Sequence, residues 1–401
     1  MKDNIILLAL KNDHNLGDQV ICECMSEYLK NNIPENTELR VIDMTGNELD
    51  CSISVGQKIY RVFLKFISKL LHVRGLRFII GRKNRNSLIQ KNTIAKIKNT
   101  AKNIYNKKTK CIIFAGGGLI KYKQQQCHFF IDGFTNVAED MNIPVMISAA
   151  GVEGYDVKNN ECQMLKKAIN RNCVKVITTR DDIECLKKNY KVRKDLIVKK
   201  VADPACSYNK VVNQKRVINN PKKVIGLGVT RKSLFLDYGV DFSPEEQIVL
   251  WNEVITELQK RNYDWEMFTN GLGADQQFAS EIIEYCNLPK SKLKERPLKN
   301  TDLVNLICSY DATIVCRLHA SIVSYAYNVP TVGLVWNNKQ KMFGESIGSP
   351  ERFITRDMFN AKYIVDMMEK AIEENYSVLE KEEYANSTYV ELQKFINSIK
   401  D

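Results

Sequence analysis

The chain has 401 residues, of which 44% are hydrophobic and 26% charged, with 19 Gly and 9 Pro. This balance is typical of a globular protein and excludes the disordered, collagen-like and disulfide-scaffold classes. The formal net charge is +12. At roughly 150 residues per domain, the length predicts two domains.

The positive charge is concentrated in one segment. Residues 51–131 contain eighteen Lys and Arg and no Asp or Glu, so the rest of the chain carries a net charge of −6. Such a field attracts polyanions, which include nucleic acid, an anionic membrane surface and a phosphorylated substrate. A lysine-rich bias of the whole proteome would give the same excess.

Short apolar runs alternate with helix-like stretches, which is typical of a parallel α/β fold. The predicted strands of the first half are residues 5–10, 39–42, 111–115, 145–149, 174–178 and 197–201, and those of the second half are 224–229, 265–269, 312–315 and 331–335. The patternless stretch 211–223 separates the two halves. We therefore predict an N-terminal Rossmann-like domain at 1–210, a C-terminal one at 223–352 and terminal helices at 353–401.

A basic amphipathic insertion is predicted at about 51–110. Within it, residues 58–73 form a helix with a basic strip and a broad aromatic and aliphatic face. Such a helix suits an anionic membrane interface, and a helix covered by the protein core would show the same pattern. Residues 5–10 are too short for a signal-peptide core or a membrane span. With twelve mostly apolar-flanked Cys, a reducing cytoplasm is the expected location, with peripheral contact at the inner membrane face as a hypothesis.

Ligands of open α/β sheets bind at the loops that leave the carboxyl ends of the strands. Asp18 follows the first strand near a helix start, where its alternative role is a helix cap. Gly116, Gly117 and Gly118 follow the third predicted strand, and their backbone N–H groups can approach an anion or a sugar closely. The loop lacks the Lys-Ser/Thr of a phosphate loop and the acidic residue of a dinucleotide fold, which argues against ATP and NAD.

Two arginines close predicted strands in the second half. Arg231 follows the run 224–229, and Arg317 follows the run 312–315. If the strand geometry continues, Arg317 and His319 point into one cleft, because residues two apart share a face. A guanidinium beside an imidazole suits an anionic substrate that also needs a proton. The alternative is a structural His at the next helix, with Arg317 in a buried ion pair. With four His in the chain, no metal site is predicted.

These pieces resemble the polysaccharide pyruvyl transferase family in their order along residues 5–350. The matching elements are Asn15-Leu16-Gly17-Asp18, the triple glycine, Arg180-Asp181, Asp203-Pro204-Ala205, Arg231, Arg317-Leu318-His319-Ala320, Asn328-Val329-Pro330, Lys339 and Phe343. One departure is Glu184, which stands where the family usually has Ser. It weakens any role carried over to the loop after Arg180-Asp181.

The resemblance implies two Rossmann-like domains facing across a cleft, as in GT-B glycosyltransferases. It also implies transfer of pyruvate from phosphoenolpyruvate to a sugar as a ketal. The acceptor would be a sugar of a cell-surface polysaccharide or its lipid-linked precursor, and phosphoenolpyruvate would be a co-substrate with no further cofactor.

Phosphoenolpyruvate carries a carboxylate and a phosphate on three carbons, so its binding calls for at least two fixed cations. Arg231 and Arg317 are the candidates, with Lys339 screening the phosphate and Lys341 within reach of the same role. His319, together with Arg317, is the catalytic candidate, because ketal formation needs a group that exchanges a proton near neutral pH.

Asp18 and the three glycines Gly116, Gly117 and Gly118 are assigned to the acceptor side by their position in the first half. Three rival interpretations remain. A GT-B-type glycosyltransferase using a nucleotide sugar shares the architecture, and a family member can keep the fold without the activity. A nucleic-acid-binding module is the third, but residues 51–131 carry no recognition motif, so no nucleic-acid partner is expected.

Overall fold

The computed structural model describes residues 2–11, 15–44, 82–122, 127–216 and 221–399. The basic helix predicted at residues 58–73 lies outside the described residues. In the described part of the chain, no helix has both the length and the apolar character needed to cross a bilayer.

The first sheet has seven parallel strands in the order β2-β1-β3-β5-β6-β7, with β4 paired to β5. Its strands are β1 Asp3–Ala9, β2 Thr37–Asp43, β3 Thr109–Phe114, β4 Gly117–Lys121, β5 Val145–Glu153, β6 Val174–Thr179 and β7 Ile197–Lys200. Helices α1 Leu16–Asn32, α2 Arg82–Ile104, α3 Cys127–Asp140, α4 Asn160–Ile169 and α5 Ile183–Cys185 connect them. All six predicted strands are confirmed, and β4 is an additional strand where a glycine loop was predicted.

The second sheet has five parallel strands in the order β12-β11-β10-β8-β9. Its strands are β8 Val224–Gly228, β9 Asp264–Phe268, β10 Ala312–Val315, β11 Thr331–Leu334 and β12 Phe353–Ile354. Its helices are α6 Leu234–Asp237, α7 Pro244–Lys260, α8 Gly273–Tyr285, α9 Asn300–Cys308, α10 Leu318–Ala326, α11 Asn338–Ser346 and α12 Ala361–Glu374. The four strands predicted for this half are confirmed. The sequence contained no signal for the two-residue strand β12.

Local sequence signals explain where the helices begin. The Ser243 side chain accepts a hydrogen bond from the Glu246 backbone N–H, and the Glu246 carboxylate accepts one from the Ser243 backbone, which completes a capping box. Pro244 occupies the first turn, where its missing N–H has no cost. A cap of this kind contributes about 1 kcal/mol to the stability of the helix.

The last helix returns to the first sheet. Helix α13, Val378–Asn397, follows α12, which confirms the two predicted terminal helices. Thr388 in α13 donates a hydrogen bond to the carbonyl of Ala202, and Tyr389 stacks on Tyr28 of α1 with ring centroids 4.5 Å apart. Helix α13 therefore packs against the first half although it follows the helices of the second.

A continuous apolar core joins the two halves. It contains buried residues of the first sheet such as Leu7 and Ile113, and residues of the second half such as Phe268, Ile307 and Val323. Because a shared core of this kind holds both sheets, the loops at the carboxyl ends of their strands meet across a narrow cleft.

Candidate functional site

Two loops of the second half touch the first turn of α1. A methyl group added at Gly17 would lie 2.1 Å from His319 Nδ1, and one added at Gly271 would lie 2.8 Å from Leu16 Cγ. Gly271 also has a φ of +93°, a left-handed conformation that favours glycine. The interface between the halves is therefore so close at these points that only glycine fits.

His319 lies in the first turn of α10, not on a strand. The predicted strand geometry for residues 317–319 is wrong, because β10 ends at Val315 and Arg317 is already the N-cap of α10. His319 is 8% exposed, and its Nε2 is 3.4 Å from Arg180 Nη1. Arginine cannot accept, so Nε2 is the acceptor in this contact.

A buried ion pair lies behind this imidazole. Arg180 and Asp203 form a salt bridge with both side chains almost fully buried, and the second oxygen of Asp203 accepts the backbone N–H of Ala205. Asp203 Oδ2 is 3.8 Å from His319 Nε2. Burial lowers the pKa of His319, Arg180 lowers it further and Asp203 opposes both. The imidazole is therefore held neutral above its lowered pKa.

Arg317 is held by a carboxylate. Its Nε and Nη2 donate to the two oxygens of Asp275 at 2.9 and 2.6 Å, and Asp275 is fully buried in α8. The backbone N–H of Arg231 donates to the same carboxylate at 2.9 Å. Arg317 is thus in the buried ion pair that the sequence left as an alternative. Replacing it with Ala would leave Asp275 buried without its counter-charge.

The guanidinium of Arg231 lies at the rim of the cleft. It donates to Asp237 at 2.7 Å, and its side chain is 30% exposed. Both arginines therefore stand at neighbouring strand ends, as expected, and both are already paired with acids. An anionic ligand would have to share these guanidinium groups with the carboxylates or displace the carboxylates.

Lys339 reaches across the cleft from α11. It is 7% exposed and forms an ion pair with Glu153 at the end of β5. Burial lowers the pKa of Lys339, and Glu153 opposes that shift. Burial would raise the pKa of Glu153, but Lys339 and Lys121 outweigh it and hold that pKa below the ordinary value.

The predicted acceptor-side residues lie opposite. Asp18 accepts a hydrogen bond from the Asn15 side chain at 2.9 Å, and a methyl group added at Gly117 would lie 2.8 Å from Asp18 Oδ1. One added at Gly118 would lie 3.6 Å from Lys339 Nζ. The predicted glycine loop is wrong in one respect, because β4 begins at Gly117 and only Gly116 belongs to the turn.

Tyr238 follows helix α6 and is half-buried in the second half. Burial raises the pKa of its hydroxyl, and Glu153, Lys121, Arg231 and Arg317 all act on that pKa through their charges. The ring packs edge-on against Trp336 with centroids 4.5 Å apart. No motif marked Tyr238 as a site residue, since its position depends on the tertiary fold.

The structure therefore brings His319, Arg317, Lys339, Asp18 and the glycines to one cleft between the halves, with Arg231 at its rim. Arg180, Asp203 and Asp275 belong to the same cleft and were not predicted as site residues. Arg180 and Asp203 stood in motifs of the resemblance, which was the signal available for them. Asp275 stood in no motif, so nothing in the sequence paired it with Arg317.

Two parallel Rossmann-like sets with a site between them define the GT-B fold, and solved structures agree. UDP-GlcNAc 2-epimerase from Methanocaldococcus jannaschii, in complex with UDP-GlcNAc and UDP, is similar with a TM-score of 0.55 at 12% identity, over 98% of this chain and 100% of that one. The S. aureus MnaA-UDP co-structure gives 0.52 at 11%, over 97% and 91%. A trehalose 6-phosphate synthase from Burkholderia multivorans gives 0.51 at 10%, over 100% and 96%. At these identities the likeness shows the fold alone.

The sequence profile of the polysaccharide pyruvyl transferase family matches residues 15–338. The chain belongs to this family, which confirms the resemblance drawn from the motifs. No curated protein matches the chain's sequence.

Proposed function

We propose that this chain transfers pyruvate from phosphoenolpyruvate to two hydroxyls of a sugar in a cell-surface polysaccharide or its lipid-linked precursor. The observation that carries the proposal is the position of His319, which lies buried between the two halves, against Arg180 on one side and Gly17 of α1 on the other. A proton-exchanging group at the junction can serve a donor held by one half and an acceptor held by the other.

The second half offers a site for a small dianion. Helices α8 and α10 begin at the N-caps Leu272 and Arg317, neither of which makes a side-chain cap hydrogen bond. The first N–H groups of such helices bind phosphate well, because the helix dipole favours negative charge there. Lys339 adds a cation on the neighbouring helix, and the phosphate of the donor would replace Glu153 as its partner.

Two acidic side chains in the cleft already pair with the cations of this site. Asp275 and Glu153 hold Arg317 and Lys339 in position, so these long side chains keep a fixed geometry. Binding of a dianion at Lys339 would then exchange Glu153 for another negative partner, which costs less reorganisation than ordering a free cation.

The reaction removes a proton from each of the two hydroxyls, delivers one proton to the methylene carbon and lets the other leave with the phosphate. As the sugar hydroxyl attacks C2, the methylene carbon gains a proton, the C2–O bond to phosphate breaks, and the second hydroxyl closes the ketal. A phosphate dianion beside His319 favours the imidazolium, which can protonate the methylene carbon. The neutral imidazole then accepts a proton from a hydroxyl, and Asp18, 2.9 Å from the Asn15 amide in the α1 turn, is the candidate to orient the acceptor.

Titration calorimetry of the full chain with phosphoenolpyruvate and with UDP tests the donor. We expect phosphoenolpyruvate to bind and UDP not to bind. Binding of UDP alone would favour a GT-B-type glycosyltransferase, a candidate supported by similar structures that were solved with UDP or UDP-GlcNAc.

Peripheral contact with an anionic membrane is part of the proposal, because a lipid-linked acceptor would lie at such a surface. Helix α2 buries Ile97 and Ala101 in the core and exposes Lys96 and Lys102 to solvent. These lysines add to the positive field of the basic segment. In flotation with liposomes, binding that needs anionic lipid and falls with salt supports the contact, and equal partition at low and high salt contradicts it.

A further inference from the structure

Three residues, which we call the row, occupy equivalent positions two residues beyond the carboxyl ends of neighbouring strands in the second sheet. Val315, Gly228 and Phe268 are partners across the neighbouring strands β10, β8 and β9. Thr230, Asn270 and Arg317 each follow one of these residues by two positions. The hydrogen bonds Cys316 N–H to Gly228 O and Val229 N–H to Phe268 O continue the pairing, so the row is in register up to this edge.

Two members of this row are buried polar groups without partners. Thr230 is 0% exposed and Asn270 is 2% exposed. Within the described residues, the Thr230 hydroxyl and both polar atoms of the Asn270 amide make no hydrogen bond. Folded proteins satisfy most buried polar groups, and each unmet one costs about 1–3 kcal/mol.

Their neighbours show what a structural role would look like. Thr313 of β10 is equally buried, and its hydroxyl bonds Thr331 at 2.8 Å and Ser324 at 3.0 Å. Thr269, directly before Asn270, bonds Gln276 at 2.9 Å. Thr230 and Asn270 therefore differ from these two neighbours in keeping their side-chain polar atoms without a hydrogen bond among the described residues.

The row faces the junction of the two halves. Gly271, next to Asn270, abuts Leu16, and the Arg317 turn brings His319 against Gly17 of the same α1 turn. Thr230 and Asn270 are therefore buried close to the segments through which the two halves meet.

We propose that Thr230 and Asn270 bind the carboxylate of the enolpyruvyl donor, an inference that rests on the proposed function. Asp275 neutralises Arg317, so the row has little net charge and suits a monoanionic carboxylate better than a dianionic phosphate. The hydroxyl and the amide NH₂ supply donors next to the guanidinium fork. The amide oxygen suits a hydroxyl of the incoming sugar, because the carboxylate carbon is bonded to the attacked carbon.

The test uses three site variants, one control variant and two ligands. Thr230→Val and Asn270→Leu remove the donors, and Asn270→Asp keeps the shape but repels an anion. Thr313→Val is the matched control. Phosphoenolpyruvate and inorganic phosphate are titrated calorimetrically into each full-length protein, and thermal unfolding is measured without ligand.

We expect each of the three site variants to bind phosphoenolpyruvate about ten- to a hundredfold more weakly. Inorganic phosphate, which lacks the carboxylate, should bind Thr230→Val within about twofold of wild type. The melting temperature of Thr230→Val should not fall, since an unmet hydroxyl is lost. Thr313→Val should have a lower melting temperature, because it leaves the hydroxyls of Thr331 and Ser324 without their hydrogen-bond partner. It should bind phosphoenolpyruvate with the affinity of wild type.

Equal affinity of wild type and the site variants for phosphoenolpyruvate would overturn this inference alone. If Thr230→Val lost as much affinity for inorganic phosphate as for phosphoenolpyruvate, the carboxylate assignment would be overturned. A melting temperature of Thr230→Val as low as that of Thr313→Val would show a structural role instead. If wild type itself fails to bind phosphoenolpyruvate, the proposed donor is wrong and this inference falls with it.

Discussion

The pair of Arg180 and Asp203 behind His319 offers the sharpest test of the site. Asp203→Asn keeps the side-chain shape and the acceptor for Ala205 N–H, but removes the charge that pairs with Arg180. Both side chains are nearly buried, at 6% and 2% exposure. Breaking a buried pair from one side costs about 3–5 kcal/mol, and we expect a loss of that size in the free energy of unfolding.

The same change acts on His319. Its pKa is lowered from the ordinary 6.5 by burial, and Asp203 is the main group opposing that shift. Without Asp203 the pKa falls further. Because the folded protein favours the neutral imidazole, its contribution to stability is complete above pH 6.5 and declines as the pH falls towards the folded pKa. In Asp203→Asn this decline of stability extends to lower pH. In a plot of kcat/KM for phosphate release against pH, the limb that reports the titration of His319 also moves to lower pH.

Denaturant unfolding at several pH values and the pH dependence of phosphate release measure both effects. Asp195→Asn is the matched control, because Asp195 pairs with Arg193 at the surface and is 72% exposed. We expect it to change neither quantity appreciably. The reasoning is refuted if Asp203→Asn unfolds like wild type and its pH limb does not move.

Three further changes have definite expected outcomes. His319→Ala should abolish phosphate release from phosphoenolpyruvate, measured colorimetrically, because no other proton-exchanging group is assigned to the junction. Gly17→Ala should lose most activity while keeping its circular dichroism spectrum, since the new methyl would lie 2.1 Å from His319 Nδ1, and full activity of this variant would contradict the close contact. Lys339→Met should raise the KM for phosphoenolpyruvate by at least about tenfold, because a charged hydrogen bond is lost. It should also raise the pKa of Glu153, which NMR titration can follow. An unchanged KM would show that Lys339 is not part of the donor site.

Apolar runs bounded by turn residues predicted the parallel strands well. Strands of a parallel sheet are buried on both faces, so they appear in the sequence as short continuous apolar runs rich in β-branched residues. Strand β4 escaped prediction because Gly117 and Gly118 lack the side chains that mark a strand. The residues of the cleft were found mainly by motif, and their convergence followed from the rule that ligands bind at carboxyl strand ends.

The partners of these residues could not be read from the sequence. Asp275 is 42 residues from Arg317 and Glu153 lies in the other half from Lys339, so both pairings depend on tertiary packing. The error at His319 has a local cause. The sequence pattern predicts Arg317 as a continuation of β10, whereas the chain turns there into α10 without a side-chain cap.

Mass spectrometry of cell-surface glycans tests the central claim most directly, in a deletion strain complemented with wild type or with His319→Ala. The account predicts that one pyruvyl group per repeat is lost on deletion, returns with wild type and stays absent with His319→Ala. Glycans that keep every pyruvyl group in the deletion strain would contradict it.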